Sequence, residues 1–237
     1  ANRRLQKTDK LKSDFITLTA HEFRTPITLV YGYARLLQST IRDSGRLDLT
    51  EGNIGELAER ICQSVQRLNE AVNDILNISL IEANEMHLDW QPVNLAEVIQ
   101  AALRELNPTK NGRELKITLE DLDTLPPVMG DPERLQQTFW NLLSNAVKFT
   151  PDGGSILVQG WAITPFTSTV KQGATDFQNP ETEEGVIVFV RDTGIGIDPS
   201  EQKEIFEHFY IVGNTDYHTS SKTAFGGGGM GLGLPIA

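Results

Sequence analysis

The sequence predicts an all-α hairpin followed by an α+β domain. In residues 1–85 apolar side chains recur every three or four positions, which is typical of amphipathic helices. From residue 95 onward helical patterns alternate with short runs of β-forming residues, which favours helices on one face of a mixed sheet. Pro92 and Asn94 suit a linker that ends at a helix cap. We therefore expect domains at 1–85 and 95–237, joined by a linker over 86–94.

The composition restricts the classes of partner. The formal net charge of -11 argues against nucleic acid or anionic lipid as the main partner, because both select for basic surfaces. No run reaches the roughly 18 apolar residues of a membrane helix, and no signal peptide opens the chain. The single cysteine, Cys62, suits a reducing compartment. We expect a cytoplasmic segment without membrane contact, and an anchor upstream of residue 1 stays open.

The first part is predicted to be two long helices joined by a turn. One helix covers residues 1 to about 40, and its first apolar positions are typical of a coiled coil that enters from an upstream sensor module. The turn lies at 43–45, and the second helix covers about 53–84. Two such helices offer too little surface to bury both apolar stripes. We expect a homodimer in which the two hairpins form a four-helix bundle.

The second part alternates helices and strands. A helix is predicted over 95–106 and another over 131–149, the latter with Asp131 as cap and Pro132 in its first turn. Strands are predicted at 115–122, 155–163 and 186–190, with a short extended piece at 126–129. The polar, turn-rich insertion at 164–185 is too long for a tight hairpin and has no assigned function.

His21 is a candidate nucleophile in the first helix. A neutral imidazole keeps a lone pair that can attack phosphorus. The neighbouring Glu22 can hold the opposite ring N–H and stabilise the cation that forms as the N–P bond is made. Taken alone, His21 is better explained as a surface histidine of a bundle helix, and the rest of the chain reverses this preference.

The helix at 131–149 presents a polar flank opposite an apolar one. Gln137, Asn141, Asn145 and Lys148 share that polar flank. Carboxamide oxygens suit Mg²⁺, which prefers oxygen ligands, and an ammonium can meet a phosphate. A merely solvated helix face is the alternative.

Two glycine-containing stretches follow the strands. Asp192 comes after a predicted strand, where its carboxylate can accept from an adenine amino group while Gly194 and Gly196 let the backbone approach the base. The glycine-rich stretch at 226–234 can cradle phosphates with its amides before a helix begins. An ordinary turn and a flexible linker are the alternatives.

The motifs together resemble a known family. Residues 21–26, His-Glu-Phe-Arg-Thr-Pro, resemble the phospho-acceptor box of sensor histidine kinases. Residues 141–150, 192–197, 205–210 and 226–234 resemble the N, G1, F and G2 boxes of the GHKL ATPases, particularly their histidine kinase branch. The resemblance implies a dimerisation bundle followed by an α/β-sandwich, Bergerat-type ATP-binding domain.

The resemblance also implies roles. ATP with Mg²⁺ would phosphorylate His21, and the phosphoryl group would pass to an aspartate of a response-regulator receiver domain. The nucleotide contacts implied are Mg²⁺ at Asn145, phosphate at Asn141 and Lys148, adenine at Asp192, Gly194 and Gly196, and a phosphate cradle at Gly229, Gly231 and Gly233. Glu22 and Thr25 resemble the Glu-x-x-Thr pattern linked to phosphatase activity in this family. Thr25 as a small residue before a kink at Pro26 fits equally well.

Two departures and two rival functions accompany this interpretation. Met230 stands where many relatives have a small hydroxyl residue, and Pro235 falls at the start of the expected helix, whose first turn can tolerate it. The family continues past Ala237, so we also expect a C-terminally truncated chain. A GHKL-type ATPase clamp would explain the nucleotide boxes but leaves His21 and the hairpin without a purpose. A dimeric signalling scaffold without kinase activity would not need Asn145 and Asp192.

Overall fold

The computed structural model describes residues 19–20, 23–40, 51–83, 85–106, 112–163, 184–207, 210, 212 and 231–237, with the backbone alone at 51–53 and 82. His21, Glu22, Gly229, the predicted turn at 43–45 and residues 164–183 of the insertion lie outside the described residues. By its internal contacts the chain divides into two compact units, the first reaching Met86 and the second starting at His87. The domain boundaries at 85 and 95 stay a prediction.

The first unit contains two long helices. Helix α1 is described at 19–20 and 23–40 and continues through Pro26, whose ring is buried. Helix α2 covers Glu51–Glu82. The two helices meet where the Arg60 guanidinium carbon lies 5.9 Å from the centroid of the Tyr33 ring. Arg60 also binds Glu56, one turn earlier, at 2.7 Å. The helical first part is therefore confirmed.

Much apolar surface of these helices is uncovered in the single chain. Ala71 and Ile78 are buried, at 8% and 5% exposed. Eight large apolar side chains are at least 36% exposed: Ile27, Tyr31, Leu36, Val65, Val72, Leu76, Leu80 and Ile81. No helix in the described part of the chain is long and apolar enough to cross a membrane.

The second unit is a sheet with helices on one face. The central strand β4 (Ser155–Ile163) pairs in parallel with β2 (Lys116–Glu120) and antiparallel with β5 (Gly185–Asp192). Helices α3 (Leu95–Leu106) and α4 (Pro132–Phe149) pack on this sheet. The core between them includes Ile99, Ala102, Leu143 and Val158, which are completely buried. The predicted α+β architecture is confirmed.

Two short elements complete this description. Strand β1 (Gln91–Val93) pairs antiparallel with β3 (Val128–Gly130). The four-residue helix α5 (Gly233–Ile236) ends the chain. Of the segment around α5, residues 231–235 group with the first unit by their contacts.

Three elements differ from the sequence prediction. Strand β1 lies inside the predicted linker, because its three residues become a strand only by pairing with β3, which is distant in the sequence. The strand predicted at 115–122 ends at Glu120, since Leu122 starts a 3-10 helix over Leu122–Thr124 and is buried. Strand β5 extends beyond 186–190 to Gly185–Asp192, because its register with β4 continues to Ile156.

Candidate functional site

Helix α4 is fixed at its start by Asp131. One carboxylate oxygen, Oδ1, accepts the N–H groups of Glu133 at 3.0 Å and Arg134 at 3.2 Å, so Asp131 is the predicted N-cap. The other oxygen, Oδ2, accepts the N–H of Asp89 at 3.0 Å. The Asp89 amide first, and then the Arg134 amide, hold the pKa of Asp131 below its usual value. The segment before β1 is thus bonded to the start of α4.

The polar flank of α4 is more enclosed than the sequence predicts. Asn141, expected on a ligand-facing surface, is only 7% exposed, and its side-chain nitrogen Nδ2 has no hydrogen-bond partner among the described residues. Leaving a buried amide unpaired costs about 1–3 kcal/mol. An acceptor such as a phosphate oxygen would satisfy it, so the environment of Asn141 fits the expected nucleotide.

The next two residues of the flank lie toward the end of α4. Asn145 is half-buried, and its side-chain amide makes no hydrogen bond within the described part of the chain. Its oxygen is therefore available to a divalent cation, the ligand that the sequence predicts there. The Lys148 ammonium lies 4.8 Å from the centroid of the Phe149 ring, a cation–π contact.

The end of α4 contacts the turn that follows β5. The Phe149 carbonyl accepts the N–H of Ile195 at 3.2 Å. Within the turn, Oδ1 of Asp192 accepts the N–H of Gly194 at 2.8 Å, which orients the carboxylate. Asp192 is exposed. The structure therefore brings the Asp192 turn to the C-terminal end of the helix that bears Asn141, Asn145 and Lys148.

Gly194 permits this contact. A Cβ atom at this position would lie 2.5 Å from the Phe149 carbonyl oxygen and 2.5 Å from Oδ1 of Asp192. Both distances are too short for a side chain, so only glycine fits between the helix end and the carboxylate. Gly196 is required for another reason, because its φ of +70° lies in the left-handed region.

Two parts of the contact escape sequence reasoning. The Phe149 carbonyl is a backbone group, and no residue pattern marks it. The hydroxyl of Thr193 accepts the N–H of Ser155 at 2.9 Å and so ties the turn to the start of β4. For the Thr193 bond, the sequence signal is a hydroxyl residue between Asp192 and Gly194.

The remaining predicted site residues group with the first unit or lie outside the described residues. Gly231, with a φ of +67°, and Gly233 group with the first unit, while Gly229 lies outside the described residues. Thr25 is half-buried in α1 and takes part in an interaction there. The phosphate cradle and the roles of His21, Glu22 and Thr25 stay predictions.

The helix-and-sheet fold of the second unit corresponds to a known ATPase family. Residues 130–237 match the family described as "Histidine kinase-, DNA gyrase B-, and HSP90-like ATPase". Residues 11–84 match a second family, the His Kinase A (phospho-acceptor) domain. The chain therefore carries the two core domains of a sensor histidine kinase, the phospho-acceptor domain followed by the ATPase domain.

Individual relatives agree with this assignment. The chain is 30% identical over 235 residues to the phosphate regulon sensor protein PhoR of Pseudomonas aeruginosa, covering 98% of this chain and 45% of PhoR. It is 32% identical over 238 residues to the signal transduction histidine-protein kinase BarA of Escherichia coli, covering 100% of this chain and 22% of BarA. The chain thus spans less than half the length of these two relatives.

Solved structures share the fold. The histidine kinase AdeS of Acinetobacter baumannii superposes with a TM-score of 0.55 at 21% identity, covering 91% of this chain and 83% of AdeS. Full-length ShkA, solved in complex with AMPPNP, superposes with a TM-score of 0.56 at 28% identity, covering 94% of this chain and 39% of ShkA.

Proposed function

We propose that this chain is the cytoplasmic catalytic core of a two-component sensor histidine kinase that phosphorylates itself on His21. In the reaction a ring nitrogen of His21 attacks the γ-phosphorus of ATP. The bond from that phosphorus to the bridging oxygen breaks, an N–P bond forms, and ADP leaves. Glu22 holds the opposite ring N–H. The acceptor belongs to the hairpin domain at 1–85, and the nucleotide to the domain at 95–237.

The contact between the end of α4 and the Asp192 turn carries this proposal. In this contact the Asp192 carboxylate, the proposed base reader, lies beside the end of a helix whose flank bears Asn141, Asn145 and Lys148. Asn145 would hold Mg²⁺ through its amide oxygen, and the ion would neutralise phosphate charge. ATP as the nucleotide is supported by the complex of ShkA with AMPPNP, an ATP analogue.

Two partners belong to the same proposal. A second copy of the chain would cover the exposed apolar residues of α1 and α2, such as Val72 and Leu76, and complete a four-helix bundle. The phosphoryl group would then pass from His21 to an aspartate of a response-regulator receiver domain. A sensor module upstream of α1 would control both steps.

The rival functions account for less of the chain. An ATP-driven clamp explains the match over 130–237 but gives no purpose to the phospho-acceptor match over 11–84. A scaffold without kinase activity explains the hairpin but not the unpaired amide of Asn141.

Nucleotide binding tests the site directly. Asn145→Ala should remove the Mg²⁺ dependence of ATP binding, because it deletes the metal ligand. Asp192→Asn should weaken ATP binding by about 1–3 kcal/mol, because an amide donor would face the adenine amino group. Calorimetric titration with ATP, with and without Mg²⁺, measures both effects.

Gln136→Ala is the matched control, since it truncates an amide of α4 that donates to Glu105 at 3.3 Å rather than facing the site. If the Asn145 and Asp192 variants both bound Mg²⁺-ATP as tightly as the wild type, the nucleotide site would have to lie elsewhere in the chain.

Thr25 tests the phosphatase assignment. We propose that its hydroxyl orients a water toward the phosphoaspartate of a bound receiver domain. Thr25→Ala should slow receiver dephosphorylation about 10²-fold, the lower end of what a positioned group contributes in general acid–base catalysis, while His21 phosphorylation stays near wild type. Thr28→Ala, one turn further along the exposed side of α1, is the control. A parallel loss of both activities in the Thr25 variant would show that Thr25 shapes the helix instead.

A further inference from the structure

Arg113 lies just before β2, and it is buried against the end of α4. Only 5% of its side chain is exposed. Its Nη1 donates to the Val147 carbonyl at 2.8 Å, and its Nη2 donates to the Thr150 carbonyl at 2.5 Å. These two carbonyls flank the helix end and would lack an intrahelical partner there. One guanidinium therefore satisfies both.

The remaining donor of the Arg113 guanidinium, Nε, binds a carboxylate. Its Nε donates to Oδ1 of Asp152 at 2.8 Å, and the same oxygen accepts the N–H of Glu114 at 3.2 Å. The Arg113 guanidinium holds the pKa of the Asp152 carboxyl below its usual value. Asp152 therefore keeps its charge at neutral pH, and the loop after α4 is bonded to the start of β2 through both groups.

The position of the Phe149 carbonyl depends on these bonds. Phe149 lies between Val147 and Thr150, the two residues whose carbonyls Arg113 binds. The Phe149 carbonyl accepts the Ile195 N–H at 3.2 Å, and the backbone of Gly194 passes so close to it that a Cβ would not fit. A rotation of the last turn of α4 would move this carbonyl and the Asp192 turn with it.

We propose that Arg113 is a positioning residue for nucleotide binding. By fixing the last turn of α4, it determines the position of the Asp192 turn. The inference rests on the proposed function, because the Asp192 turn is taken to bind adenine. Arg113 touches no nucleotide in this account. It acts through Val147, Thr150 and the Phe149 carbonyl, so its replacement should change the affinity for ATP rather than the chemistry at His21.

Arg113→Lys is the informative variant. The lysine keeps the positive charge near Asp152, but a single ammonium lacks the planar fork that binds two carbonyls at once. We expect Arg113→Lys to weaken Mg²⁺-ATP binding about tenfold, the effect of losing one charged hydrogen bond. We expect Asp152→Asn to have a smaller effect, because an amide oxygen can still accept from both donors.

A second measurement separates positioning from general destabilisation. The exchange rate of the Ile195 amide proton, followed by NMR, reports the hydrogen bond to Phe149 and needs no nucleotide. The Ile195 exchange rate should rise about tenfold in Arg113→Lys. The exchange rate of the Val158 amide, in the core of the sheet, should rise only as far as the loss in the free energy of unfolding of the whole domain predicts. Val98→Ala, a truncation of a buried α3 residue, calibrates the effect of destabilisation alone on both readouts.

Each outcome decides the inference. Weaker ATP binding together with faster exchange at Ile195, neither seen in Val98→Ala, would support the positioning role. The inference would be overturned if the Ile195 amide of Arg113→Lys exchanged at the wild-type rate. It would also be overturned if Arg113→Lys bound Mg²⁺-ATP no more weakly than Val98→Ala does. If the wild-type chain bound no Mg²⁺-ATP, the proposed function would fail, whereas the Ile195 exchange rate would still decide whether Arg113 positions the turn.

Discussion

Replacing His21 with glutamine should abolish incorporation of phosphate from ATP, while Mg²⁺-ATP binding and dimerisation stay unchanged. Glutamine is close to histidine in size, but its amide nitrogen has no lone pair suited to attack on phosphorus. Removal of a nucleophile typically costs several orders of magnitude in rate, so the label should fall below detection. Binding should persist because the acceptor and the nucleotide residues belong to different domains. Autophosphorylation with radiolabelled ATP and calorimetric titration measure the two properties.

His87→Gln is the matched control for this experiment. It removes an exposed histidine of the second unit that has no part in the acceptor box. Its label should equal that of the wild type. Stable label in the His21 variant would show that another residue is the acceptor.

Gly194→Ala should reduce Mg²⁺-ATP affinity by up to about 10²-fold, because losing the Asp192 contact and leaving its partner unpaired costs about 1–3 kcal/mol. The added Cβ would lie 2.5 Å from the Phe149 carbonyl oxygen, a backbone atom that cannot turn aside as a side chain would. The turn must therefore move away from α4, which stretches the Ile195 hydrogen bond and displaces Asp192. Such overpacking also costs about 1–3 kcal/mol of stability. Nucleotide titration and thermal unfolding measure the two effects.

Gly185→Ala, at the opposite end of β5 from the Asp192 turn, provides the comparison. A Cβ at this first residue of β5 would meet nothing within 4 Å, and its backbone is not left-handed. Its affinity and stability should match the wild type. Tight ATP binding by the Gly194 variant would mean that the Asp192 turn does not read the base.

The sequence predicts the regular elements well because local signals mark them. Helix α4 has an aspartate cap and a proline in its first turn, and strand β4 is rich in β-forming residues and has the predicted bounds 155–163. Strand β1 was missed because three residues carry no periodicity of their own. It exists through its pairing with β3, with Pro92 opposite Met129.

The site is predictable only in part, for a similar reason. Asn145 and Asp192 stand in motifs whose residue types reveal their chemistry. The burial of Asn141 depends on tertiary packing, which helical periodicity does not show. Arg113 is a single arginine before a strand, and its role becomes visible only when the carbonyls of Val147 and Thr150 are seen at its guanidinium. Backbone acceptors leave no trace in a sequence.

The central claim is that phosphate from ATP reaches a histidine, and the chemical stability of the product tests it most directly. The chain is incubated with γ-labelled ATP and Mg²⁺, denatured, and divided between acid and alkali. A phosphohistidine predicts label that is retained in alkali and lost in acid, and that is absent from His21→Gln. Label that survives acid, or ATP hydrolysis without any label on the protein, would contradict the account.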